Sequence, residues 1–382
     1  MAKGLFSRIP FGGRTGRNRN ARPEAQHAVT AWTLAWRKFR RHNLALVSLA
    51  FLVVWLTILL FAEFTAPYFP AESSSRIFMS PQAIRFVDST GKFHLRPFVY
   101  GMKPAVTADF ETVFAPDTSQ VFPIQFLVKR PKGQFGPTAQ EMQTVLFGVD
   151  KPGYIHLLGT DYRGRDLLSR IIHGGRTSLT VGLFGVILST ILGTIIGTIS
   201  GYYSGIVDMI IQRAIEIISS IPQLPLWLAL AAILPKDWPS NWTFWGITTV
   251  LAFIGWTGLA RAVRGMVLSV RERDFVMAST AGGGNARHIM SQHVVPNVLS
   301  HLIVVTTMAI PGIIMAESGL SFLGFGIKPP QASWGLLLKD AQDLHAILIS
   351  PWIMTPGLCI ILTVSAFNFL GDGLRDAADP YQ

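Results

Sequence analysis

The chain has 382 residues, of which 49% are hydrophobic and only 14% charged, against about a quarter charged in an ordinary soluble domain. That balance, with a positive mean hydropathy, excludes a soluble globular protein and predicts a membrane protein. The formal charge of +11 does not argue for nucleic acid, because ten of the 33 lysines and arginines precede His42 in a tail too short for a folded DNA- or RNA-binding module.

Residues 1–43 form that basic cytoplasmic tail, and Trp32, Leu34, Trp36 and Phe39 interleaved with Arg37, Lys38, Arg40 and Arg41 read as an interfacial helix on anionic membrane lipid. Residues 44–62 are unbroken apolar sequence, long enough to cross hydrocarbon and to remain as a signal anchor. Residues 63–155 are polar and proline-rich, with strand-like runs at 84–87 and 124–128, and predict a small β-rich extracytoplasmic insertion. Lacking cysteines, it is expected to fold by burying Phe86, Phe93, Phe98, Phe110, Phe114, Phe122 and Phe126.

Residues 156–372 supply five further spans. In 158–176, Asp161 is expected to cap an amphipathic helix carrying Leu167, Leu168, Ile171 and Ile172, its acids and arginines forming hydrated ion pairs rather than a metal site. The next segment, 177–200, carries Gly185, Ser189, Gly193, Gly197 and Gly201 at four-residue intervals, a face on which another helix backbone can approach closely. Over 208–234, Asp208, Arg213 and Glu216 suit the inner interface, and Pro222 and Pro225 must kink or break the span, beside a pore or as a packing adjustment. A fourth span covers 244–267. The fifth, 298–318, is expected to be interrupted at Pro311 and Gly312, with Glu317 at the far interface as a hydrated cap or part of an outer gate. A turn-rich outer loop over 321–350, a sixth span over 351–370 and a cytoplasmic tail at 373–382 complete an all-α membrane fold of six transmembrane helices with both termini inside.

Between the fourth and fifth spans lies a polar interruption, RERDFVMASTAGGGNARHIMSQHVVPN, at 271–297. Asp274 can cap a short helix through Ala281, the run Gly282, Gly283, Gly284 ends it, and Asn285 can cap a second helix expected to stop before Pro296. A helix, glycine elbow and helix held at a membrane surface suits transmission of force from a soluble partner.

This stretch resembles the cytoplasmic "EAA" loop of ABC-importer permeases. Met277, Ala278 and Ser279 stand at its opening, Gly283 at the required spacing, and His293, Val295 and Pro296 at its close. Met277 replaces the motif's acid, and Glu272 or Asp274 is the acid at hand. Beyond it, LGTDYRGRDLLSRIIHGGRTSL, AESGLSFLGFGIKPPQASWG and AFNFLGDGLRDAADP resemble the peptide-type OppC/DppC branch of those permeases, over well more than half of the chain. The resemblance implies a type I ABC-importer permease in a bacterial inner membrane, non-catalytic, paired with a similar permease subunit, two ATPase subunits and an extracytoplasmic solute-binding protein. Asp274, Phe275, Met277, Ala278, Ser279, Gly283 and Pro296 are then the expected ATPase-coupling residues, with Phe275, Ala278, Ser279 and Gly283 as the docking surface itself. No cofactor is expected on this chain, and ATP with Mg belongs to the ATPases, since no G-x-x-x-x-G-K-[ST] phosphate loop occurs here. The alternative class, an ion-coupled secondary transporter, needs ionisable groups near mid-membrane, of which the spans have few.

Overall fold

In hydrocarbon every backbone N–H and C=O must be satisfied within its own segment, so the apolar runs form helices. The computed structural model describes residues 36–106, 112–131 and 142–378. Among these, five helices are long and apolar enough to cross a membrane: Asn43–Leu60, Leu167–Tyr203, Ser240–Val270, His301–Phe322 and Pro351–Ala378. A sixth candidate is the pair Gly205–Ser220 and Gln223–Ile233, bent by 89° at Ile221 and Pro222. We label the helices that organise the fold α1 (Asn43–Leu60), α2 (Ala62–Thr65), α3 (Leu167–Tyr203), α4 (Gly205–Ser220), α5 (Gln223–Ile233), α6 (Ser240–Val270), α7 (Asp274–Ala281), α8 (Ala286–Ile289), α9 (Val295–Phe322), α10 (Trp334–Lys339), α11 (Leu344–Ile349) and α12 (Thr355–Ala378). Of the tail's expected interfacial helix, only 36–39 are described and helical; Trp32 and Leu34 lie outside the described residues.

The small residues of α3 are all buried, and their face meets α6. A Cβ on Gly193 would lie 2.7 Å from Cβ of Leu259, one on Gly197 2.5 Å from the carbonyl oxygen of Ala260, and one on Gly201 2.8 Å from Cβ of Val267. Ser189 Oγ donates to the Ala252 carbonyl at 3.1 Å, and Gly185 faces Ile313 of α9. Backbone approach this close leaves no space for a side chain. Gly197→Leu is expected to push the helices apart at an overpacking cost of about 1–3 kcal/mol or more. A lower thermal midpoint of the purified protein, with Gly258→Leu (no atom within 4 Å of its Cβ position) left near wild type, checks it.

Several boundaries differ from those expected. From Leu167 on, the amphipathic segment and the next span are one helix of 37 residues, about 55 Å long, so α3 projects well beyond the hydrocarbon. Its N-cap is Asp166, whose Oδ2 accepts from Ser169 N at 2.8 Å, and not Asp161. Gly164, at φ +68°, closes a turn after Asp161 and prevents the helix from starting there. Pro311 does not interrupt α9, which runs unbroken from Val295 to Phe322. The expected tail at 373–382 is helical through Ala378, as the end of α12.

Among the described residues of 85–148, five strands form two small sheets. In the first, β1 (Arg85–Val87), β2 (Phe93–Val106) and β3 (Thr112–Pro123) pair antiparallel; β4 (Gln125–Pro131) and β5 (Met142–Gly148) form a hairpin. The expected phenylalanine core is largely absent: Phe98 is buried, but Phe86, Phe93 and Phe126 are exposed, and Phe110 lies outside the described residues. The core is Val99, Ile124, Val149 and Ile155, with Tyr68, Phe122 and Phe147 against them. Sheets of two and three strands cover only one side each, so the aromatics of the other side stay open.

Candidate functional site

The 271–297 unit is built from its ends. Arg271 Nη1 donates to Ser204 Oγ at 2.5 Å and to the carbonyls of Gly201 and Tyr202, which ties the start of the unit to the end of α3. Beneath α7, Val276 is buried against Val263, Val267, Ile289, Val294 and Val298. That single anchor turns the other residues of the helix outward. Phe275, Met277, Asp274 and Ala278 are exposed and Ser279 is half-buried, with the Phe275 ring 6.2 Å from that of His293.

The elbow closes α7 with a paired set of bonds, Gly283 N to the Thr280 carbonyl at 3.0 Å and Gly284 N to the Ser279 carbonyl at 2.9 Å. This geometry needs a left-handed residue, and Gly283 supplies it at φ +80°, with no atom within 4 Å of where a Cβ would stand. Two expectations are corrected here. Arg273, not Asp274, is the N-cap residue of α7, and Asp274 is the acid of its first turn, where it favours the positive helix end. Asn285 does cap the second helix, accepting from Arg287 N at 3.2 Å, but that helix does not stop before Pro296. A π-turn at Met290–Val294 carries the chain into α9, and Pro296 falls in the first turn of α9, where a missing N–H is tolerated. The valine anchors were missed by sequence reasoning, although Val276, Ile289 and Val294 are apolar residues within a polar stretch.

At the ends of the spans nearest the 271–297 unit, Arg264 donates through Nε and Nη2 to both oxygens of Asp208 at 2.5 Å. Asp208 Oδ1 also accepts from Ser200 Oγ at 2.5 Å. This fork joins α3, α4 and α6.

At the opposite ends lies a buried ionic network that was expected to be hydrated. Asp161, Asp166, Arg165 and Arg170 are all buried. Asp161 accepts from Arg165 Nε at 2.7 Å, from Arg170 Nη1, and from the backbone N–H groups of Arg163 and Arg165. Asp340 stands 3.4 Å from Arg170 Nη1, and burial raises its carboxyl above the usual range while Arg170 pulls it down. Asp166 Oδ1 meets His156 Nδ1 at 2.9 Å. No cluster of three or more metal-ligating side chains occurs among the described residues.

Glu317 is also corrected: it is wholly buried, not a hydrated cap. Ser178 Oγ donates to its Oε2 at 2.8 Å and Ser321 Oγ to its Oε1 at 2.7 Å. Those two hydroxyls in turn accept from Trp334 N and Ile327 N, both at 3.1 Å. The carboxylate therefore orients two serines that pin the 323–334 segment across α3 and α9. Trp334, fully buried, roofs this centre and donates through Nε1 to the Ile171 carbonyl at 3.0 Å. The segment between α9 and α12 is thus a packed cover with α10 and α11 in it, rather than a loop.

Residues 193–381 match the family described as binding-protein-dependent transport system inner membrane component, and residues 30–81 match the N-terminal TM domain of oligopeptide transport permease C. The oligopeptide transport system permease protein OppC of Haemophilus influenzae is 43% identical over 229 residues, covering 60% of this chain and 71% of that one. The protein of the same name from Salmonella typhimurium is 42% identical over 231 residues, covering 59% and 72%. A crystal structure of an amino acid ABC transporter with histidines superposes with a TM-score of 0.41 at 16% identity, over 55% of this chain and 94% of that one. With more than two thirds of each OppC relative covered at over 40% identity, the chain belongs to the family of binding-protein-dependent transport system inner membrane components, in its OppC branch.

Proposed function

We propose that this chain is the permease subunit of an ATP-driven, binding-protein-dependent importer of oligopeptides or peptide-like solutes, forming half of the translocation path. The observation that carries the reading is the anchored 271–297 unit, which presents Phe275, Met277 and Ala278 outward between two spans of a family member whose relatives are named for oligopeptide transport. In this reading the bent pair α4–α5 is the third of six spans, and both termini and the 271–297 unit are cytoplasmic. Residues 63–155 are extracytoplasmic, where they guide the solute-binding protein or brace the subunits. Two ATPase subunits with ATP and Mg dock on Asp274, Phe275, Met277, Ala278, Ser279 and Gly283, a similar permease subunit completes the path, and the solute-binding protein delivers cargo from outside. Closure of the ATPases pushes α7 as a lever, and because α7 is packed through Val276 onto α6 and α9, the push reaches the spans.

Uptake of a labelled peptide into proteoliposomes holding the assembled complex tests this. Uptake is expected to require ATP and to survive ionophores that collapse ion gradients. Uptake that follows an ion gradient without ATP would make the chain a secondary transporter instead.

A further inference from the structure

Two arginines on the inner half of α6 have opposite surroundings. Arg264 is closed by the two oxygens of Asp208. Arg261, less than one turn outward, is exposed, and its guanidinium has no hydrogen bond or ion pair with any of the described residues. By helix rise it stands about 15 Å outward of Arg271, within hydrocarbon depth if Arg271 marks the inner surface. A guanidinium does not deprotonate, and at that depth it is costly unless an anion or water meets it.

Arg261 opens into a cavity of about 290 Å³ that it lines with Ser219, Gln223, Gly255 and Gly258. The break between α4 and α5 brings Ser219 and Gln223 there, and neither side chain has a hydrogen-bond partner among the described residues. A second cavity, of about 170 Å³, shares Gln223 and Gly255 and continues to Gly312 and Ala316 on α9. Lipid-facing surfaces of this protein look different: the exposed side of α3 carries Leu183, Ile187, Ile191 and Ile195. His301, also exposed, lies eleven residues before Gly312, about three turns, and so on the same face of α9. The two adjoining cavities therefore lie along α6, one of them reaching α9, with the uncompensated guanidinium of Arg261 at their cytoplasmic end.

We propose that Arg261 is a carboxylate-binding station on the cytoplasmic half of the translocation path, with Gln223 and Ser219 as neutral hydrogen-bond donors to the same group. The ligand class is a solute with a free carboxylate, such as the C-terminus of a peptide, which the planar guanidinium fork can bind through two parallel N–H groups. This deepens the importer function proposed above and rests on it.

The test compares short alanine peptides with a free C-terminal carboxylate and the same peptides C-terminally amidated, each saturating the binding protein, in proteoliposomes holding the complete importer. Arg261→Gln is expected to lower ATP-driven uptake of the free acids about tenfold and to leave the amides within about twofold of wild type. Arg261→Lys, which keeps the charge but not the two-pronged fork, should restore part of the loss and again only for the free acids. Gln223→Leu gives a second arm should Arg261→Gln fail to assemble, with a loss of about threefold confined to the free acids. Equal losses for acids and amides would overturn the proposal and assign Arg261 to an acid of the partner permease or a lipid phosphate. Unchanged uptake of both would overturn it as well. A wild-type complex that imports neither peptide would instead overturn the peptide-importer function, and this station with it.

Discussion

Asp161→Asn is expected to destabilise the protein by about 3–5 kcal/mol, because it leaves the buried Arg165 and Arg170 without their shared carboxylate. Asp340 offsets only part of this: it reaches Arg170 alone, at 3.4 Å. The control is Glu63→Gln. Its pair with Arg176, at 2.6 Å, joins two side chains that are 51% and 41% exposed, and an exposed pair contributes less than about 1 kcal/mol. Thermal unfolding of the purified protein in lipid nanodiscs reads both changes. A midpoint for Asp161→Asn no lower than that for Glu63→Gln would mean that water reaches the network and screens it.

That network shows where sequence reasoning reaches its limit. Acids alternating with arginines normally mark a wet surface, and nothing local in 158–176 says otherwise. Their burial comes from elsewhere in the chain: Trp352 Nε1 donates to the Thr160 carbonyl at 3.1 Å, Ser74 Oγ to the Gly164 carbonyl at 2.8 Å, and Asp340 arrives from the segment between α9 and α12. Glu317 teaches the same lesson. Counting residues along α9 places it near the end of that helix, but position along a helix does not reveal that Trp334 packs beside it. Local signals were more informative. Apolar runs located five long helices, the prolines located the bend between α4 and α5, and the glycine triplet located the elbow, because each depends on the backbone of its own segment. Between Asp161 and Asp166 stands Gly164, a residue suited to φ > 0, and it signals a turn that ends before the helix begins, which makes Asp166 the cap. For the insertion, counting phenylalanines overestimated the core, since residue type gives the wish to be buried and only the number of covered sheet faces decides how many can be.

On the proposed coupling role, three substitutions in α7 and its elbow should separate docking from folding. Phe275→Asp puts a charge where a partly exposed ring now stands, and its own helix keeps its hold through Val276. The cost falls on the interface: a new unpaired charge in a docked surface removes several kcal/mol, on the order of a hundredfold or more in affinity. Gly283→Asp adds to that charge the strain of a non-glycine residue at φ +80°, on the order of 1 kcal/mol, but meets no neighbouring atom in this chain. Val276→Asp differs in kind, because it drives a carboxylate into the apolar cluster shared by α6, α7 and α9, and should loosen the unit itself. Phe275→Asp and Gly283→Asp are therefore expected to reach the membrane in normal amount, with a thermal midpoint close to wild type, but to lose co-purifying ATPase and ATP-driven uptake. Val276→Asp should lower the midpoint as well. Should Phe275→Asp and Gly283→Asp both retain ATPase and transport normally, the outward face of α7 is not where force enters, and the elbow serves only to turn the chain from α6 into α9.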